Sequence, residues 1–333
     1  MILYYDKINF KGFSDMTDET IRQQVLPVAK RINEEVKKAV IGKNDIIVKT
    51  LLAIIAGGHI LLDDIPGVGK TTLALAFSKA MSLDYKRMQF TPDVLPADVT
   101  GFTVYNKQTE RFEYKPGAAL CSLFLADEIN RTSSKTQSAL LEAMEEGAVT
   151  VDGVTHELPK PFIVIATQNP IGSVGTQMLP ESQLDRFIVR LSMGYPDLNS
   201  EIAILKSKGT EKPADSIVPV ASAKDVLMLR AAAEQIFVDD RVYKYIASIA
   251  AATRTHPQIK LGLSPRGSVA LAAMAKATAL LNGRSYVIPD DVKFVLNDVV
   301  EHRIIISPKA KAAGVTAADV IRDISARTPA PKI

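Results

Sequence analysis

The sequence predicts an α/β protein: a parallel sheet covered by helices, followed by a smaller unit built of helices alone. Three observations point there. Five short apolar runs of strand length are continuous rather than alternating, which suits strands buried on both faces. Helical segments separate several of those runs, the rhythm of a parallel sheet with helical crossovers. After Pro196 the character changes, and from Lys224 onward the pattern is that of four or five helices with no obvious strand.

The elements follow in order. Residues 1–20 read as a leader. From Thr20 to Val40, Val28, Ile32, Val36 and Val40 recur at helical spacing and predict a helix broken near Pro27. Gly42 ends it, and Asn44 is expected to cap a second, more buried helix. The strand-length runs are His59–Leu62, Lys86–Phe90, Leu123–Ala126, Phe162–Thr167 and Phe187–Leu191, with helices over Thr71–Met81 and Lys135–Glu145. Two hairpins interrupt the alternation. Gly101–Tyr114 is expected to turn at Asn106–Thr109, and Asp152-Gly153 joins two short strands. In the last part, Ser264 as N-cap, Pro265 at the first helical position and Gly283 as the stop mark the clearest helix. The expected division is a leader over 1–20, an α/β core with two inserted hairpins over 21–196, and a helical unit over 197–333.

Composition narrows the function classes. The chain has 333 residues, 47% of them hydrophobic, enough for a sizeable core. Forty basic and 37 acidic residues leave a net charge of +3, no electrostatic case for nucleic acid. Nor is there a Lys/Arg run interleaved with aromatics, and tryptophan is absent. Cys121 is the only cysteine, so no internal disulfide forms and a reducing cytoplasm is the simplest setting. No secretory leader is read at the N-terminus. The longest apolar stretch, Leu51–Leu62, contains His59 and falls short of the ~20 residues of a spanning helix, so no membrane insertion is expected. His59, His156, His256 and His302 lack metal-ligand spacing and read as structural or solvated, and Cys121 as a buried small hydrophobe.

The chemistry concentrates in five stretches. In "LLDDIPGVGKTT", Gly67, Gly69, Lys70 and Thr71 follow a strand and open a helix, the setting of a phosphate-binding loop. The glycines let backbone N–H groups turn toward phosphate oxygens, Lys70 supplies charge, and the Thr71 hydroxyl is placed to ligate Mg²⁺. The pattern G-x-x-x-x-G-K-[ST] asks for a first glycine at position 64, where Asp64 stands. Its carboxylate is expected to face outward or accept a nearby N–H, leaving the cradle intact. "SLFLADE" is an apolar strand delivering Asp127 and Glu128 at its C-terminal end, where open α/β sheets bind ligands. Asp127 suits the Mg²⁺ shell and Glu128 suits polarising a water. Asn169, after "FIVIATQ", could orient that water or sense a γ-phosphate, or simply cap the loop at Pro170. Arg186 precedes the last sheet strand, and Arg266 lies in the first turn of a late helix. Alone, either arginine reads as a surface or salt-bridge residue; in series with the other motifs they join the candidate site.

As an ordered set, from about Val40 to Arg303, these stretches resemble an AAA+ ATPase of the MoxR family. "PGVGKT" is similar to its Walker A loop and "LFLADEINR" to its Walker B strand; "KTQSALLEAMEEG", "ATQNP", "LPESQLDRF" and "LSPRG" follow in the family's order. The resemblance implies a P-loop core with strand order 5-1-4-3-2, an α-helical lid, and ATP with Mg²⁺ as cofactors. It implies nucleotide contacts at Pro66, Gly67, Val68, Gly69, Lys70, Thr71 and Thr72, with Ile41 and Gly42 beside the adenine. Thr71 and Asp127 would hold the metal, Glu128 would be the catalytic base, and Asn169 and Arg266 would be sensors. Arg186 would be the arginine finger of the neighbouring subunit. The hairpins lie where the family carries its helix-2 insert and the hairpin before sensor 1. The resemblance also implies a homo-hexameric ring with protein clients, often beside a von Willebrand factor A domain protein. A metal-chelatase motor subunit and a nucleic-acid motor are the competing expectations.

Overall fold

In the computed structural model, which describes residues 17–169, 178–207 and 213–332, five strands form one parallel sheet. In chain order the strands are β1 (His59–Asp63), β2 (Tyr85–Gln89), β3 (Gly101–Asn106), β4 (Arg111–Pro116), β5 (Leu123–Asp127), β6 (Ala148–Val151), β7 (Val154–Glu157), β8 (Ile163–Gln168), β9 (Phe187–Leu191), β10 (Ile259–Leu261) and β11 (Ile305–Ile306). The sheet runs β2-β5-β8-β1-β9, which is the expected 5-1-4-3-2 when its strands alone are numbered in sequence. Leader residues 1–16 lie outside the described chain, as does Pro170.

Side chains alternate across this sheet and define two apolar layers. Ile60, Leu62, Leu123, Leu125, Ile163, Ile165, Val189 and Leu191 face one side, and Leu61, Phe124, Ala126, Val164, Ala166 and Phe187 the other. β5 and β8 are buried at every position; their first four residues are continuously apolar, and the buried polar Asp127, Thr167 and Gln168 come only at their C-terminal ends. β2 is an edge strand and is only partly covered, so Lys86 and Arg87 are tolerated there.

The first layer is covered by helices Leu26–Ala39, Asn44–Ile55 and Lys70–Ala80, and then runs without interruption into the helices after β9. Val226, Leu229, Leu271, Met274 and Val292 belong to the same buried cluster as the sheet residues. Each fully buried Leu, Ile, Val or Met contributes about 1.5–3 kcal/mol, so this layer welds the late helices to the sheet. The second layer is thinner, capped by helix Ser134–Glu146 and the short helix Pro96–Thr100.

Local chemistry explains most boundaries. The break expected near Pro27 lies just before it: Ile21–Val25 form a π-helical turn, and Pro27, lacking an N–H, sits at the start of the following α-helix. Asn44 is not a cap; Lys43 occupies that position without a side-chain bond, and its ammonium instead donates to the Tyr195 carbonyl at 2.7 Å. Asp152 and Gly153 both take positive φ, 50° and 79°, as a two-residue hairpin turn requires. Ser264 caps Pro265–Leu281 as expected, accepting the Gly267 N–H at 3.1 Å. The late part is not helix alone: β10 and β11 pair antiparallel there, a ladder too short to register in the sequence pattern. Residues 18–22, partly assigned to the leader, are anchored. Asp18 accepts the Ser285 N–H and hydroxyl, both at 2.7 Å, and Arg22 donates to the Gly283 carbonyl at 3.1 Å.

Candidate active site

Parallel pairing places the C-terminal ends of all five strands on one edge, and three adjacent ends carry polar chemistry. β1 runs into Asp64 and the glycine loop, β5 ends in Asp127 with Glu128 next, and β8 between them ends in Gln168 with Asn169 next.

Gly67 and Gly69 have φ of +86° and +100°, a region L side chains rarely adopt, which is why this turn needs glycine. A Cβ on Gly67 would meet no atom within 4 Å, so the loop is open on that side. Behind it, Gly69 caps helix Lys70–Ala80, whose first amides face the same space. The Lys70 ammonium folds back to donate to the carbonyls of Asp64 (2.5 Å) and Ile65 (3.2 Å). Burial lowers its pKa, while Asp64, Asp127, Asp63 and Glu128 pull it the other way.

The Asp64 carboxylate is buried. One oxygen accepts the Ile65 N–H at 2.9 Å; the other accepts the Gly194 N–H at 2.7 Å and the Ser192 hydroxyl at 3.1 Å. The acid therefore ties the loop to the segment leaving β9 and leaves the cradle to the glycines. That segment brings the Met193 methyl to 3.6 Å from a Cβ built on Gly69. Farther along it, Ser200 packs so closely on Gly42 that a Cβ there would collide with the hydroxyl. Ile41 and Gly42 thus flank the same segment that Asp64 fastens to the loop.

Thr167 organises the acidic pair. Its hydroxyl donates to Asp127 Oδ1 at 2.6 Å and accepts the Glu128 N–H at 2.8 Å. The other Asp127 oxygen takes Nη2 and Nε of Arg87 at 2.7 and 3.2 Å. Glu128 has φ 56° and ψ 48°, a left-handed conformation that costs a non-glycine residue about 1–3 kcal/mol. The Thr167 bond helps hold it there, and Arg131 pairs with its carboxylate at 2.6 Å. The buried Asn130 side chain donates to the Asn169 carbonyl at 3.2 Å and fixes the end of β8.

The chain fits a nucleotide and a hard divalent ion. The open glycine cradle and the half-buried Lys70 suit phosphate oxygens, and the Thr71 hydroxyl and Asp127 carboxylate are the oxygen donors such an ion takes. Thr167 would orient that carboxylate. Pro66 and Gly67 are exposed on the loop, while Val68, Thr71 and Thr72 are partly buried.

Arg186 and Arg266 form a separate group. Both pair with Glu145, Arg186 at 3.1 Å on one oxygen and Arg266 on the other. Glu145 lies near the end of helix Ser134–Glu146. At 1.5 Å per residue it is about 17 Å along the axis from Ser134, which follows closely after the Glu128–Arg131 turn. The structure therefore gathers Lys70, Thr71, Asp127, Glu128 and Asn169 in one place and the two arginines in another. Arg87, Thr167 and Glu145 were not singled out by sequence. Thr167 sits inside the "ATQNP" run and could have been; Arg87 and Glu145 carry no local signal.

Cys121 is buried, its thiol pushed up to about 12. Among the described residues no group of three or more His, Cys, Asp or Glu side chains could hold a metal ion, and no helix is long and apolar enough to cross a membrane.

A five-stranded parallel sheet with a glycine loop after β1, an acidic pair after β5 and helices appended after β9 defines a AAA-type nucleotide-binding protein. Residues 59–189 match the ATPase family associated with various cellular activities (AAA), and residues 251–324 match the AAA lid domain. The chain is 46% identical to the uncharacterised protein YeaC of Bacillus subtilis, over 93% of this chain and 97% of that one. It is 36% identical to chaperone MoxR1 of Mycobacterium tuberculosis, over 90% of this chain and 81% of that one. A solved structure of a candidate ATPase from Cytophaga hutchinsonii superposes with a TM-score of 0.87 at 37% identity, covering 94% of this chain and 98% of the other. The chain belongs to the MoxR family of AAA+ ATPases.

Proposed function

We propose that this protein is a Mg²⁺-dependent ATPase that works in a homo-hexameric ring and couples hydrolysis to remodelling protein clients in the cytoplasm. The observation that carries the reading is the convergence of the glycine loop, Lys70, Asp127 and Glu128 on three adjacent strand ends, braced by Thr167. Bound Mg²⁺ supplies charge neutralisation for the phosphates. Lys70 would exchange its two carbonyl partners for phosphate oxygens, and Thr71 and Asp127 would hold the metal. Glu128 takes the proton of the attacking water, and Asn169 orients it. Pro66, Gly67, Val68, Gly69 and Thr72 line the phosphates, with Ile41 and Gly42 at the base. The division into a core over 21–196 and a lid over 197–333 belongs to the same proposal.

Arg186 serves the nucleotide of the neighbouring subunit. Arg266 shares its carboxylate partner, so we assign it to that same neighbour-facing group rather than to the Lys70 cluster of its own chain. The client-remodelling element rests on the likeness to a relative named as a chaperone, and a von Willebrand factor A domain protein is the partner to seek.

Lys70→Ala is expected to abolish ATP binding, and Glu128→Gln to bind ATP without turning it over. Isothermal titration with ATP and a phosphate-release assay separate the two. Wild-type turnover by Glu128→Gln would remove Glu128 from its role.

A further inference from the structure

Resting on the reading of Arg186 as a residue that acts on the neighbour's nucleotide, we propose that Glu145 is the positioning residue for both arginines. One carboxylate sets the direction of Arg186 and Arg266 together. The two guanidiniums come from segments far apart in sequence, one preceding β9 and one in the first turn of Pro265–Leu281. Each binds a different oxygen of Glu145, Arg186 through Oε2 and Arg266 through Oε1. A single carboxylate shared in this way holds the tips of both guanidiniums together.

The backbones beneath them are already fixed to each other. Asp185, beside Arg186, accepts the Ser264 hydroxyl at 2.9 Å and Nε of Arg303 at 2.8 Å. Ser264 is the cap of the helix that carries Arg266. Arg303 is buried and also donates to the carbonyls of Phe187 (2.6 Å) and Ile188 (3.1 Å). Thus Asp185 sets where the two arginines start, and Glu145 sets where their long side chains end.

Charge says why a carboxylate is needed. Two guanidiniums side by side repel, and without an anion between them their flexible side chains would splay into solvent. Their side chains are 31% and 45% exposed and that of Glu145 37%, so the group opens onto the surface. It holds two positive charges against one negative. The remaining positive charge suits a polyanion arriving from outside, and the triphosphate of an adjacent subunit is such a group.

The test measures steady-state ATPase kinetics of assembled rings. Glu145→Ala is expected to lower kcat by ~10²-fold, the scale on which a 1 Å misplacement acts, while KM for ATP stays within about twofold. Mixing Glu145→Ala subunits with Lys70→Ala subunits should restore part of the turnover, because Lys70→Ala chains still present intact arginines to ATP held by their neighbours. Glu145→Gln, close in shape, covers the case in which the alanine variant fails to fold; it keeps one acceptor oxygen and should lose about tenfold. Wild-type kcat for Glu145→Ala or Glu145→Gln rings in which Arg186→Ala is slow would overturn the role of Glu145 alone. Wild-type kcat for Arg186→Ala rings would overturn the reading beneath it. A slow Glu145 variant with no recovery in confirmed mixed rings would place Glu145 in its own subunit's chemistry and sink the proposal.

Discussion

The glycine-loop end of the sheet and the Glu145 cluster are built in opposite ways. At the loop end, residues close in sequence arrive already arranged: Gly67, Gly69, Lys70 and Thr71 share one turn, and Asp127 and Glu128 share one strand end. At Glu145, three segments separated by long stretches of chain meet through side chains alone. The first is set by backbone conformation, so its tolerance to substitution is governed by φ and by amide direction. The second is set by packing and ion pairing, so it depends on whether the late helices stay welded to the sheet. On the proposed reading, a site built in two such halves would bind nucleotide in a lone chain yet hydrolyse it well only where a neighbour supplies the arginines.

The sharpest way to break that comparison is to cut each half separately. Arg186→Ala should leave the ATP affinity near that of the wild type while hydrolysis by the assembled protein falls by a factor of ~10³ or more. Binding and phosphate release measured on one sample decide it. Should both fall together, the two halves are not separable.

Next in size is the brace inside the first half. Thr167→Val keeps the shape but removes the hydroxyl that donates to Asp127 and accepts from Glu128. Loss of this buried bridge should cost about 1–3 kcal/mol in thermal unfolding and slow turnover. An unchanged melting temperature would mean that Asp127 and Glu128 are held by other contacts.

Asp64→Gly is smaller and more pointed. It restores the first glycine of the loop pattern and removes the bonds to Ser192 and Gly194. Stability should drop by about 1–2 kcal/mol with no gain in ATP affinity. Tighter ATP binding by the glycine variant would show that the acid works against the loop.

Smallest is a pH effect at a buried ring bonded to the residue next to Glu145. The His59 ring accepts the Val164 N–H at 3.0 Å and donates from its other nitrogen to the Met144 carbonyl at 3.1 Å, and burial pushes its pKa from 6.5 down to about 4. Between those values the unfolded chain binds a proton that the folded chain refuses. Stability should therefore be full above pH 6.5 and decline as the pH falls toward 4, and His59→Gln should flatten that decline in urea titrations. An identical slope in the variant would assign the acid sensitivity to other groups, the buried His302 first among them.

Much of this was legible in residues near each other in sequence. The central sheet strands are visible because burial on both faces favours continuous apolar runs, with polar side chains only at their C-terminal ends, and β2, a partly exposed edge, is where the pattern was weakest. The Asp152-Gly153 turn and the Ser264 cap are visible because one or two residues dictate the backbone there. The cap at Lys43 and the ladder of β10 with β11 were missed because tertiary contacts decide them: Lys43 is drawn to Tyr195, and two or three paired residues leave no period to detect.

What the sequence determined by itself is the chemistry that one turn of chain can encode: the glycine cradle, the lysine beside it, the metal-suited hydroxyl, the two carboxylates and the order in which they occur. Tertiary structure alone decided which way Asp64 points, that Thr167 joins Asp127 to Glu128, and that Arg186 and Arg266 belong to each other. The physical reason is range. Backbone dihedrals and amide directions are fixed within a few residues, whereas a long charged side chain takes its direction from whatever opposite charge the folded chain brings within about 3 Å.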